Sequence, residues 1–271
     1  LENNLKVFKS DKFDANDASN LSLFLYPSSI HIFVKDKEMV NIAQYYQPNF
    51  DWNRLENLIE SDTVLSSNLP ASVFLHHESF CLVPDDVFSK GKEATYLSFT
   101  GSLEDSSSFF STSLDKNTVH LVSSISAGLK RTIENHFPVT SYHHGSVSFL
   151  SYLFKERLYQ IGQEILISVF DKQGYFAVSV YQDLTVFNRF EIKGKEDVLK
   201  YAMVLISQLK LDLNLVRLSI FADKSEAFPK EYFEQYLHHV RILKPFGNQK
   251  YAFGFDHPEP SNLFESSWQM D

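Results

Sequence analysis

A chain of 271 residues with 34 acidic and 25 basic side chains, a formal net charge of −9, is long enough for one large domain or two ordinary ones. That charge argues against a general nucleic-acid or anionic-membrane binder, and a composition of 44% hydrophobic and 22% charged residues excludes a disordered chain. Its 9 glycines are few for a protein built around glycine-rich phosphate loops, and Cys81, the only cysteine, excludes an internal disulfide and a multi-cysteine metal centre.

Residues 1–20 are polar, weakly periodic and unlike a signal peptide. They read as a tail or a loosely attached first element; the chain does not open on Met, so its native start is an open matter. Structure is expected to begin at Leu21–Tyr26, an apolar strand, with a turn at Tyr26-Pro27-Ser28-Ser29 and further strands at Ile30–Val34 and Met39–Tyr46. Asp51 caps a helix that carries Trp52, Leu55, Leu58 and Ile59 on one face, and Ser72–His76 is the next strand.

The middle of the chain predicts a strand at Ser79–Val83, a helix over Asp85–Ser98 and a Ser-rich stretch at Ser102–Ser113. A strand at Thr118–Ser123 follows, then a helix capped by Ser126 with Leu129, Ile133 and Phe137 in one row. Val139–His143 is a short extended piece, and Ser146–Tyr159 is a helix that ends at Gln160-Ile161-Gly162, a C-cap and hinge.

The second half writes the opening pattern again. Strands at Ile165–Phe170, Tyr175–Tyr181 and Leu184–Ile192 precede a helix from Glu196, and a strand follows at Val216–Phe221. The distance from first strand to helix is about 30 residues in both halves, and from helix to next strand about 20. The pattern is β-β-β-α-β twice, without sequence identity between the copies; the alternative is one α+β domain with two unrelated meanders. Pro229 opens a last helix to about Val240, and the piece from Phe246 has no period.

This arrangement resembles the actin-like ATPase architecture, a duplicated ribonuclease H-like fold, with Ser146–Tyr159 resembling its inter-domain helix. More narrowly, Asn188-Arg189-Phe190, then Lys195-Glu196-Asp197-Val198-Leu199-Lys200-Tyr201 and Gln208-Leu209, resemble DUF3822, a family of unknown function found mainly in Bacteroidetes. Leu82-Val83-Pro84 with Val87-Phe88, and Phe137-Pro138, fit the same pattern. The resemblance spans roughly Leu21–Val240. It implies an α/β chain of two actin-like domains, each with a mixed sheet that starts as a three-stranded antiparallel meander. The boundaries expected are a tail at 1–20, a first domain at 21–160 including the inter-domain helix, a second at 161–245 and an extension at 246–271.

Actin-like ATPases hold nucleotide with two hairpins rich in Asp, Gly and small residues. The first hairpin here has neither Asp nor Gly, and Pro27 removes a backbone donor. The second, Asp171-Lys172-Gln173-Gly174, suits a plain tight turn. The third contact region, Ala222-Asp223-Lys224-Ser225, lacks the expected Gly. The resemblance therefore implies Ser28, Ser29, Asp171, Gly174 and Asp223 as the residues nearest a nucleotide if one binds.

Leu21–Tyr26 carries no acid for a two-metal nuclease. The doublets His76-His77, His143-His144 and His238-His239 point their members in different directions, so no metal site is assigned. His144-Gly145-Ser146-Val147-Ser148 lacks the second Gly of a nucleophile elbow. The reading is a cytoplasmic, non-catalytic pseudo-ATPase, with no catalytic residue and no cofactor. It is expected to act as an interaction module for an unidentified protein partner, away from membrane and nucleic acid. The alternative is an ATP/Mg²⁺-dependent switch or ATPase with altered loops.

Overall fold

The computed structural model describes residues 5–101, 107–156, 162–254 and 263–268. The chain gathers into two compact units, one of residues 1–147 with 249–260 and one of residues 148–248 with 261–271.

The first unit carries β1 (Lys6–Lys9), β2 (Asn20–Leu25), β3 (Ser29–Lys35), β4 (Asn41–Pro48), α1 (Leu55–Glu60) and β5 (Ala71–Leu75). Then come β6 (Phe80–Pro84), α2 (Glu93–Leu97), β7 (Ser107–Leu114), β8 (Val119–Ser126), α3 (Ala127–His136) and β9 (Thr140–His144). Its main sheet runs β1-β4-β3-β2-β5-β9. The meander β2-β3-β4 is antiparallel, and β2, β5 and β9 are mutually parallel. Between β5 and β9 the chain builds a second, three-stranded sheet in the order β6-β8-β7.

After α4 (Val147–Glu156) the second unit has β10 (Gln163–Phe170), β11 (Gln173–Val180), β12 (Asp183–Glu191), α5 (Lys195–Leu209) and β13 (Arg217–Ala222). It continues with α6 (Lys230–Phe233), β14 (His239–Leu243) and α7 (Phe264–Ser267). Its sheet runs β12-β11-β10-β13-β14, with β10, β13 and β14 parallel. This is the order of β4-β3-β2-β5-β9, so the repeat read from spacing is a repeat of topology.

Burial explains the elements. On one face of the first sheet Leu21, Leu23, Leu25, Ile30 and Ile32 pack with Leu55, Leu58 and Ile59 of α1 and Ile133 of α3. In the second unit Ile165, Ile167, Phe176 and Val178 meet Val198, Ala202, Leu205 and Ile206 of α5. Each large aliphatic side chain so buried contributes about 1.5–3 kcal/mol. The opposite face of that sheet is aromatic: Phe149 of α4, Phe264 of α7 and Phe221 of β13 lie with ring centroids 4.9–6.4 Å apart.

Several expected elements differ. The tail contains β1, which pairs antiparallel with β4. The helix over 85–98 is a 3-10 turn at Asp85–Val87 followed by the short α2, because Gly91 between them takes φ +86°. The Ser-rich stretch supplies β7, while residues 102–106 lie outside the described residues. The helix over 229–240 stops at Phe233 and the chain becomes β14. Of the hinge Gln160-Ile161-Gly162, only Gly162 is described. By packing, α4 falls with the second unit except for Val147, and 249–254 returns to the first, where Asn41 and Lys250 join by backbone.

Candidate functional site

In the first unit the parallel strands end together. The ladder runs one step past them: His76 N–H donates to Leu25 O at 2.9 Å, and Gly145 N–H donates to Leu75 O at 2.8 Å. Side chains fill this end. The His76 ring stacks on Tyr26 at 3.9 Å between centroids, and on its other contact it meets Gly145, where an added Cβ would stand 2.2–2.3 Å from three ring atoms. Tyr26 and His76 are both fully buried.

The hairpin itself is closed by its own backbone. Tyr26 N–H donates to Ser29 O at 2.9 Å, Phe50 N–H to Ser28 O at 2.9 Å, and the Trp52 indole to Tyr26 O at 2.8 Å. Ser28 is exposed at the tip and Ser29 is buried in β3. Beneath, His31 is buried between Tyr26 and Tyr46, and burial pushes its pKa down to about 3. A neutral His31 adds no charge that would attract phosphate.

His77 and His144 form a second layer. His77 accepts from Ser79 N–H at Nδ1 (3.1 Å) and donates from Nε2 to Ser124 O (2.7 Å), which ties β8 of the inserted sheet to the end of β5. His144 donates from Nε2 to His77 O at 2.9 Å and accepts the Ser146 hydroxyl at Nδ1, 2.8 Å away. A hydroxyl on an imidazole is the geometry of a nucleophile and its base. Both residues are fully buried, and the pair links β9 to the start of α4.

In the second unit Asp171 and Lys172 form a two-residue turn with φ of 39° and 62°, a left-handed hairpin turn. The register pairs Val169 of β10 with Ala222 of β13, so Asp171 and Asp223 leave the same end of the sheet. Gly174 has a packing reason: a Cβ there would stand 2.6 Å from Ile192 Cδ1 and 3.1 Å from Ser168 O. On the aromatic face, fully buried Glu265 of α7 sits beside Ser168 and Tyr175, and burial raises its carboxyl to about 7. The structure thus brings Asp171, Gly174 and Asp223 to one end of the second sheet, and Ser28 and Ser29 to one hairpin of the first unit.

The family model described as "Protein of unknown function (DUF3822)" matches residues 9–241. The chain belongs to the DUF3822 family. This DUF3822 chain is also similar to a solved Bacteroides thetaiotaomicron VPI-5482 protein described as having an actin-like ATPase fold and unknown function. That match covers 86% of this chain and 93% of the other, at 16% identity and a TM-score of 0.74. A PilM-PilN type IV pilus biogenesis complex is similar over 84% of this chain and 88% of the matched one, at 10% identity and a TM-score of 0.51. Among curated proteins none matches. At these identities the likeness shows fold alone: the DUF3822 chain is an actin-like α/β protein. Among its described residues no helix is long and apolar enough to cross a membrane.

Sequence reasoning treated each histidine doublet of this DUF3822 chain separately. It missed that His76, His77 and His144 meet at the ends of β5 and β9, and that Glu265 is buried. The one local signal was Gly145 beside His144, in a chain with few glycines.

Proposed function

We propose that this DUF3822 member is a non-catalytic actin-like protein that works inside the cell by binding another protein. The observation that carries this reading is the Tyr26–His76–Gly145 stack. It fills the head of the first three parallel strands with buried side chains, next to the hairpin that in actin-like ATPases approaches phosphate. The second hairpin agrees: a Cβ at Gly174 would meet Ile192, so packing alone accounts for its Gly.

The partner surface proposed is the inserted part of the first unit. Val87 and Phe99, at the two ends of the segment that contains α2, are 62% and 84% exposed. Phe99 is of the aromatic type enriched at the core of interfaces. The PilM-PilN structure is a solved complex that contains a chain of this fold, which makes a partner-binding role a natural one for the scaffold. The test is affinity capture with chemical cross-linking from cells that make the protein. The account expects one specific partner, lost when Phe99→Ser is introduced in a protein of unchanged melting temperature. Equal capture by wild type and variant would reject this surface.

A second reading has one observation in its favour: Asp171 and Asp223 leave the same end of the second sheet. It makes the protein a nucleotide switch that uses these carboxylates to hold Mg²⁺. Tight MgATP binding that is lost in Asp171→Ala would favour it.

A further inference from the structure

The buried rows of α1 and α3 leave three ligand groups on a shared outer side. Leu55, Leu58 and Ile59 face the core, so Glu56 and Glu60, at i and i+4, share the opposite side of α1. His136 comes from the last turn of α3. One atom from each of the three groups lies within 4.8 Å of the other two.

We propose that Glu56, Glu60 and His136 form a binding site for one divalent transition-metal ion of the zinc class, joining α1 to α3. Two independent observations point to a cation there. The first is His136 Nε2, which is shielded from solvent and has no hydrogen-bond partner; Glu56 Oε1 is 4.0 Å away, beyond hydrogen-bond reach. A ring nitrogen held like this loses its water without replacement, which costs about 1–3 kcal/mol. Coordination replaces that partner. The second is charge. Glu56 and Glu60 are like charges at helical spacing, which destabilises a helix. Among the described residues neither has a Lys or Arg ion-pair partner.

The donor set selects the ion. One imidazole nitrogen and two carboxylates suit zinc, while Mg²⁺ and Ca²⁺ prefer all-oxygen shells. Zinc bonds of roughly 2.0–2.2 Å require the three donors to draw in from their present spacing. The exposed ends of Glu56 and Glu60 turn to do this while His136, mostly covered, stays in place. Three protein ligands leave a fourth position for water. The site uses none of the histidine doublets and departs from the sequence expectation of no metal.

The test is calorimetric titration of the chelator-treated full chain with Zn²⁺, alongside thermal melting with Zn²⁺, Mg²⁺ or Ca²⁺. The proposal expects one zinc per chain, a zinc-dependent rise in melting temperature, and no rise with Mg²⁺ or Ca²⁺. Glu60→Gln and His136→Gln each weaken zinc binding by roughly tenfold or more. Glu60 is exposed, so Glu60→Gln reports on the site even if His136→Gln fails to fold. No zinc binding at sub-millimolar concentration overturns the proposal. So does unchanged affinity in Glu60→Gln, which would place the ion among other members of the chain's 10 histidines.

Discussion

The ring of His76 lies against the backbone of Gly145, so closely that a methyl group at Gly145 would meet three ring atoms at 2.2–2.3 Å. The pair joins the ends of β5 and β9, and Tyr26, just past β2, closes the stack. Gly145 is therefore a requirement of packing, with no need to invoke a special backbone angle.

Gly145→Ala should cost about 1–3 kcal/mol, because an overpacked buried site has to displace His76 from its stack on Tyr26. Gly128, in the first turn of α3, has open space around it. Gly128→Ala should stabilise by about 0.5 kcal/mol through reduced backbone freedom. Urea denaturation of the two variants side by side checks the contrast; equal effects would contradict it.

Gly174→Ala should destabilise by about 1 kcal/mol through its clash with Ile192 Cδ1. Ile192→Val removes that atom, so the double variant should recover part of the loss. A double-mutant cycle reads the coupling. Strictly additive effects of the two substitutions would contradict the clash.

Glu265 gives the fold a pH dependence. Its carboxyl is raised from 4.5 to about 7 by burial. The unfolded chain ionises above its ordinary value while the folded chain keeps the proton. This group's support is complete below about pH 4.5, declines as pH rises to about 7, and is flat above. The span is about 3 kcal/mol as an upper figure. Glu265→Gln should abolish this component, so the stability difference between variant and wild type grows in favour of the variant from pH 4.5 to 7. A constant difference across that range would contradict the assignment.

His31 acts in the opposite direction. Burial lowers it from 6.5 to about 3, so its neutral form supports the fold above pH 6.5. That support is lost as pH falls from 6.5 toward 3, when the unfolded chain binds a proton the folded chain refuses. His31→Phe should move the acid unfolding midpoint to lower pH, as read by circular dichroism.

The duplicated scaffold was legible because its signals are local. The hairpins carry turn residues at Pro27-Ser28 and Asp171-Lys172, and α5 buries Val198, Ala202 and Leu205 at helical spacing. What was missed depends on partners distant in sequence. β7 is Ser-rich and becomes a strand by pairing with β8. β14 is five residues long and is held by its parallel neighbour β13. The candidate site follows the same rule. His76 and Gly145 are far apart in the chain, and their meeting follows from the parallel order β2-β5-β9, which no single segment encodes. The turn character of Asp171-Lys172 was visible in its residues, whereas the clash that fixes Gly174 needed Ile192 from the end of the meander.

The most direct test of the central claim is calorimetric titration of the purified chain with MgATP, repeated with ADP and GTP and matched by thermal melting. A ligand at 100 times its Kd adds about 2.7 kcal/mol of stability, so real binding registers in both experiments. The account predicts no heat and no shift up to millimolar nucleotide. Saturable binding of MgATP, abolished by Asp171→Ala, would contradict it and make the protein a nucleotide switch.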